Sequence, residues 1–309
     1  MDWKRLAAWD IKDWINFTTR LGVNTSFGNG KDYRYAQDYN TDLQPAHSPV
    51  QSFVTDSEFQ TLSYQTDAIL TLKPEFDSDF SVLAILGAVN NTDEFRESSI
   101  RANNLSIPGF FDVSNGTGTP IINVNESKRR IYGFYGDFTF GFKEYLYLNL
   151  AGRYDSTSTL PADDNSYFYP SVGLSYILSE SIPSIRDSGT YIKLTASNST
   201  VYNDLAPYQI NESFSQAGGF PYGTVNGFFQ SPSAIDSGIK KEKINTSEIG
   251  ANFGFFKNRV TFDAAYYITK STDLITNTTP SVSAGATSYL TNIGEIEGTG
   301  IELGLGQNN

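Results

Sequence analysis

The sequence predicts an all-β fold: an antiparallel up-and-down transmembrane β-barrel, of which the chain supplies about ten strands. Three observations predict it. Apolar residues recur at every second position in one stretch after another, and the connections between those stretches alternate between short and long. Aromatic residues make up 14% of the chain while charged residues make up only 18%, below the roughly one quarter usual in soluble domains.

The alternation is clearest over 247–270. Ile249, Ala251, Phe253 and Phe255 lie on one side of a first strand, and Val260, Phe262, Ala264, Tyr266 and Ile268 on one side of a second. Successive strand side chains point to opposite faces, so the stretch is a hairpin with one apolar and one polar face. A sandwich core and a lipid bilayer both fit such a face. On the membrane reading Leu148, Phe253 and Phe262 meet lipid, and Asn149, Asn252 and Asp263 point the other way.

Taken in order, Ile15 to Val23 form the first strand, followed by a polar connection over 24–61. Ala68 to Leu72 and Phe80 to Leu86 flank a turn at 74–79, and a second long connection covers 90–127. Tyr132 to Phe140 and Leu146 to Tyr154 flank the turn at 141–144. A connection at 156–166 leads to Pro170 to Tyr176, and a proline-containing one at 179–189 to Ile192 to Ala196. The longest connection, 199–245, precedes the hairpin, another spans 271–292, and Ile301 to Leu305 close the chain. No segment reads as a helix.

In a meander every second connection lies on the same side. The short turns therefore gather on one side and the long loops on the other, as in outer-membrane barrels. A soluble sandwich has no reason to sort its connections this way. Trp3, Trp9 and Trp14 near the start, placed on the short-turn side by this count, and Phe142 and Phe256 beside short turns suit an interfacial aromatic girdle.

Composition excludes several classes. A net charge of −12 leaves no basic stripe for nucleic acid. Without cysteine there is no disulfide or thiolate chemistry. The one histidine, His47, lies in a polar loop and reads as solvent-exposed. No window of ~18 apolar residues marks a transmembrane helix. The opening MDWKRLAAWDIKDW carries charge throughout and is not a signal peptide, which fits a cytoplasmic chain or an internal piece of a longer one.

Asp163 and Asp164, like Glu295 and Glu297, invite a catalytic reading, but the former pair is adjacent on a solvated loop. With Asn165 they cluster hard oxygen ligands, yet the EF-hand spacing is missing and no metal is assigned. No G-x-S-x-G, H-E-x-x-H or phosphate-loop motif is present, so neither an enzyme nor a cofactor is expected. The polar face carries Asp137, Asn149, Arg153, Asp155, Lys193, Glu248, Asn252, Asp263 and Glu302, which would line a barrel lumen or simply the wet side of a sheet. Phe110, Phe111, Tyr208, Phe214, Phe220, Tyr222, Phe228 and Phe229 lie in long loops. They either pack among themselves or stack on sugars and peptide side chains; Tyr208, Phe220, Tyr222, Phe228 and Phe229 are the candidates for substrate or lid contact.

Several strings carry a resemblance. LAGRYDSTSTLPADDNSYFYPSVGLSYILSE, the upstream IPGFFDVSNG and ESKRRIYGFYGDFTFGFKEYLYLNLAGRYD, and NIGEIEGTGIELGL near the end resemble the barrel of SusC/RagA-type TonB-dependent outer-membrane transporters. So does GIKKEKINTSEIGANFGFFKNRVTFDAAYYITKSTDL, with Lys241 where that family usually has Pro. The resemblance runs from roughly Lys12 onward. It implies a barrel of about 22 strands filled by an N-terminal plug, of which 1–309 would be the middle-to-late part, without signal peptide, plug or final strands. Alone, it would form an open, curved sheet. It further implies uptake of oligosaccharides or peptides across the outer membrane of a Gram-negative bacterium. Its partners would be outer-membrane lipids, a SusD-like surface lipoprotein as lid, and the TonB complex acting on the absent N-terminal region. A passive porin, or a soluble extracellular glycan-binding β-protein, remains the alternative.

Overall fold

A computed structural model describes residues 2–38, 49–217, 227–230 and 232–307. The strands are β1 (Asp2–Lys12), β2 (Ile15–Arg34), β3 (Phe53–Leu72), β4 (Phe80–Asn103), β5 (Ile121–Phe142), β6 (Leu146–Thr157) and β7 (Ser166–Ile177). Two short helices follow, α1 (Leu178–Ser181) and α2 (Pro183–Asp187), and then β8 (Tyr191–Asn203). The remaining strands are β9 (Phe214–Ala217), β10 (Gly227–Gln230), β11 (Ser233–Ile235), β12 (Glu242–Phe255), β13 (Val260–Thr272), β14 (Ile275–Thr278), β15 (Ser288–Asn292) and β16 (Glu295–Gln307). Among the described residues no helix is long and apolar enough to cross a membrane, a statement that leaves strands untouched.

An 11-stranded sheet runs β1-β2-β3-β4-β5-β6-β7-β8-β12-β13-β16, an up-and-down meander whose two end strands each have one neighbour. The expected count of about ten strands misses β1. That strand also corrects the placing of Trp3, which stands at the start of β1, away from the turn at 13–14 that holds Trp14 and that Trp9 precedes on β1. The remaining short strands form a two-stranded sheet, β10-β9, and a three-stranded one, β11-β15-β14.

Two expected loops prove to be largely strand. Residues 24–34 and 53–61 belong to β2 and β3, and 90–103 and 121–127 to β4 and β5. The cause is physical: main-chain pairing, not apolar alternation, holds a strand, and alternation shows only where one face is apolar. In these stretches the apolar residues keep no period of two, as with adjacent Phe53 and Val54 or Ile121 and Ile122, and ion pairs such as Lys31–Asp56 at 3.3 Å and Lys128–Glu94 tie neighbouring strands together. The connection at 178–190 corrects the expectation of no helix. Pro183 occupies the first turn of α2, where its missing N–H costs no bond.

The chain divides into two compact units, one of 1–5, 21–66 and 91–129, the other of 6–20, 67–90 and 130–309. In the first, Phe53 is buried, with the Arg101 and Arg34 guanidinium carbons 3.9 and 4.9 Å from its ring centre. Buried Asn115 pins the 104–120 connection, donating to the carbonyls of Ile107 (2.9 Å) and Phe110 (2.7 Å) and accepting from the Ile107 amide (3.0 Å). Phe111 packs on Tyr33 and Tyr35 at 4.2 and 4.8 Å, which absorbs one of the loop aromatics. Phe110 stays exposed.

In the second unit the registers carry one row across the sheet: Phe140, Leu148, Leu174, Ala196, Ile249, Tyr266 and Ile301, each opposite the next. Directly opposed residues share a face. This face is not covered by protein: Phe134 is 66% exposed, Ile249 61% and Leu305 81%. The buried apolar cluster of this unit lies elsewhere, in Leu160, Tyr167, Leu205, Ile239 and Leu290, with Tyr169, Tyr202, Ile210 and Ile275 against it. Leu160, Leu205 and Ile239 come from the connections at 158–165 and 204–241, and Leu290 from β15. The long connections thus build a core against the loop-side ends of the wall, where Tyr167 of β7 joins it.

Candidate functional site

Two features carry function-bearing side chains: the polar face of the wall and the layer built by the long connections. Period-two geometry places Asp137, Asn149, Arg153, Asp155, Lys193, Glu248, Asn252, Asp263 and Glu302 together on the face opposite the apolar row. Leu148, Phe253 and Phe262 share the apolar face.

Neighbouring strands turn the polar residues into local clusters. Asn149 Nδ2 donates to Asp137 Oδ1 at 2.8 Å and to Thr139 Oγ1 at 3.0 Å. Asn252 Nδ2 donates to Asp263 Oδ1 at 2.7 Å, and Lys193 stands opposite Asn252 in the register. Arg153 Nε donates to both Asp155 oxygens at 2.8 and 2.9 Å, and the Asp155 side chain is 6% exposed. Gly133 makes this pair possible. It sits directly across from Asp155, and a Cβ there would strike the carboxylate and crowd the Arg153 guanidinium. Glu248 lies opposite Ser197 and Tyr267, and Glu302 opposite Ala265. Among the described residues no group of three acidic, His or Cys side chains is placed to hold a metal. In the loop acidic cluster Asp164 binds Lys241 instead, and Asn165 accepts from Ser156 and Ser166 at 3.2 and 2.8 Å.

The connection layer is tied by polar contacts around its core. Asp204 Oδ2 accepts from the buried hydroxyls of Thr157 (2.7 Å) and Thr159 (2.8 Å). Lys241 Nζ donates to Asp164 Oδ1 at 2.9 Å and the Ser166 carbonyl at 3.0 Å, and stands 5.8 Å from the ring centres of both Tyr167 and Tyr202. Lys241 is thus a cation seated beside two aromatic rings.

Tyr208 is exposed and holds a left-handed backbone, φ 62°, a strained position for a bulky residue. Phe228 and Phe229 lie on β10, whose register with β9 puts Phe228 on the same side of the small hairpin as Phe214. Phe214, Phe228 and Phe229 are all exposed. Phe220, Tyr222 and His47 lie outside the described residues. Sequence reasoning missed two cavities. One, of about 620 Å³, is lined by Phe27, Asn29, Glu58, Phe59, Gln60 and Arg96. The other, of about 240 Å³, is lined by Gln209, Asn211, Glu212, Ser213, Ser233 and Asn277 over Leu290. Amides and hydroxyls in a loop make no motif, so no sequence signal marks the second.

Asp236 locks the three-stranded sheet. Its carboxylate accepts from Thr291 Oγ1 at 2.6 Å and from the Gly238 amide at 2.9 Å, and chiefly the Thr291 bond holds its carboxyl below the usual carboxylate value. A depressed folded value means the stabilisation is complete above the unfolded carboxylate value and fades as pH falls through the folded one. Acidification below the ordinary value of 3.8 should therefore lower the exchange protection factors of β11 and β15. Asp236→Asn should start lower and lose this added dependence. Unchanged protection in the wild type would show that the carboxylate does not hold the sheet.

Comparison with known proteins agrees with this architecture. The family model for the TonB dependent receptor-like beta-barrel matches residues 3–308. A TonB-dependent receptor of Formosa agariphila is 30% identical over 210 residues, 65% of this chain and 21% of the relative. The TonB-dependent receptor SusC of Bacteroides thetaiotaomicron is 22% identical over 190 residues, 58% of this chain and 18% of its own. The solved RagAB peptide transporter shares the fold at a TM-score of 0.83 and 18% identity, over 98% of this chain and 33% of the matched one. The chain therefore spans about a fifth of the curated relatives' length. With the family model covering nearly every residue of an up-and-down sheet, the chain belongs to the TonB-dependent receptor β-barrel family.

Proposed function

We propose that this chain is part of the wall of a TonB-dependent outer-membrane transporter. The transporter imports oligosaccharides or peptides with a SusD-like surface lipoprotein as its lid. One observation carries the reading: an uncovered apolar row across β5 to β16, backed by a polar face, in a meander whose longest connections share one side. In water such a row would be an aggregation surface; in a bilayer it is the lipid contact. Asp137, Asn149, Arg153, Asp155, Lys193, Glu248, Asn252, Asp263 and Glu302 then face the lumen, against a plug or along the aqueous path. The long connections emerge at the cell surface, where Tyr208, Phe220, Tyr222, Phe228 and Phe229 meet lid or substrate. TonB would act on the plug rather than on the wall. The name of the RagAB peptide transporter supports peptides within this range.

Deleting 218–230 from the full-length transporter tests the loop assignment. Its described residues, those of β10, lie outside the wall ladder, so barrel yield should stay at the wild-type level. Co-purification of the lid lipoprotein, or substrate uptake into cells, should fall. If yield, lid binding and uptake all remain unchanged, the loop touches neither partner.

A further inference from the structure

The apolar face is not uniform. Between β7 and β13 it holds a trough of about 420 Å³ lined by Val172, Leu174, Ala196, Ile249, Tyr266 and Ile268. Ala196 explains it. It stands between Leu174 and Ile249 in the cross-strand row, and its methyl leaves the space a larger side chain would fill. Beyond the trough the side chains of the same row are large: Phe140 and Leu148 on one side and Ile301 on the other.

The end of the trough nearest the long connections is polar. There Asn198 and Ser247 face each other in the register, in the row that also holds Val172 and Ile268. Asn198 Nδ2 donates to Ser247 Oγ at 2.8 Å and to Asn245 Oδ1 at 3.1 Å. Asn245 Nδ2 in turn donates to Thr200 Oγ1 at 2.9 Å and the Ser199 carbonyl at 3.1 Å. These bonds fix the carboxamides. Ser247 Oγ accepts here, and among the described residues no hydrogen bond is made by its own proton, which stays available to donate. The trough is thus apolar along its length and presents a donor at one end.

We propose that the trough binds one acyl chain of a bilayer lipid, with an ester or phosphate oxygen of the lipid head accepting from the Ser247 hydroxyl. This rests on the membrane reading above and extends it to a defined lipid site. The polarity supports this occupant. An amphiphile lying along the wall needs an apolar path that ends in hydrogen-bonding groups on the side where the headgroups are. The apolar walls of the trough continue the exposed band on either side, so its occupant comes from whatever bathes that band. A second barrel, or the acyl anchor of a lipoprotein, would compete for the same surface.

The test uses full-length transporter purified in detergent and stripped of lipid, with phosphatidylethanolamine and lipid A added separately and binding read by native mass spectrometry. The wild type should retain one molecule of one of these lipids more tightly than all others. Ala196→Phe fills the trough with a residue suited to lipid contact and should weaken that step about tenfold or more. Ser247→Ala should weaken it several-fold, and Leu148→Phe, in the same row outside the trough, should leave it unchanged. Equal retention in the wild type and Ala196→Phe overturns the proposal, as does a wild type that keeps a second barrel or a lipoprotein there in place of free lipid. The same preparation is reconstituted into phospholipid vesicles in parallel: transporter that enters them but retains no lipid in the mass spectrum overturns the trough alone. Transporter that does not enter vesicles overturns the membrane reading, and the trough with it.

Discussion

Leu150→Arg should destabilise the full-length transporter by about 2–4 kcal/mol in a vesicle-folding titration, the range for a cation on the lipid face near mid-bilayer. Leu150 lies on the exposed apolar face, opposite Phe138 and Val172, with Leu148 two residues away on the same face. The cost is that of stripping water from a guanidinium with no partner in reach. Asn149→Arg is the control. One residue along, the side chain points to the opposite face, where Asp137 already accepts a hydrogen bond from Asn149 at 2.8 Å. An arginine there finds a carboxylate, so the expected cost is within about 0.5 kcal/mol, as for an accommodated surface change. Equal costs at the two positions would refute the assignment of faces.

Arg153→Met should cost about 2–3 kcal/mol. Removing one partner of a buried ion pair leaves a desolvated charge and typically costs ~3–5 kcal/mol. The Asp155 side chain is 6% exposed but that of Arg153 is 41% exposed, so solvent already screens part of the interaction and the expected cost falls to the bottom of that range or below it. Arg153→Lys keeps the charge but not the geometry by which one Nε reaches both oxygens at 2.8 and 2.9 Å, and should fall between. The measurement is urea denaturation of the full-length protein in detergent. A loss below about 0.5 kcal/mol for the methionine variant would show that Asp155 is solvated without its partner.

The two halves of the chain were unequally legible in sequence. From Tyr132 onward one face is apolar, so Phe138, Leu150 and Val172 announce their strands, and period two assigns the opposite face without further information. Upstream, the stretch NTSFGNGKDYR of β2 is polar on both sides and reads as a loop, although its amides are paired to the end. Backbone pairing leaves no composition signal of its own. At the site, the chemistry of Asp155 was visible but its burial was not, because burial comes from Gly133 and Arg153, one on a neighbouring strand. The loop core of Leu160, Leu205, Ile239 and Leu290 was not legible either. Its members are scattered over three connections and follow no period.

The parallel pairing of β11 with β15 has a consequence for the order in which the chain folds. Ser288 Oγ donates to Ser233 Oγ at 2.9 Å across a separation of 55 residues, and between them lies the β12–β13 hairpin. Closing so long a loop in an open chain is slow, because the entropy is lost before any contact is gained. Once the hairpin has zipped, the same two strands are already neighbours. The small sheet is therefore a late event that depends on correct hairpin pairing. A hairpin slipped by one residue would turn Phe253 and Phe262 to the polar face and would also carry β11 out of step with β15. The pairing thus adds its hydrogen bonds only after the hairpin has brought the two segments within reach.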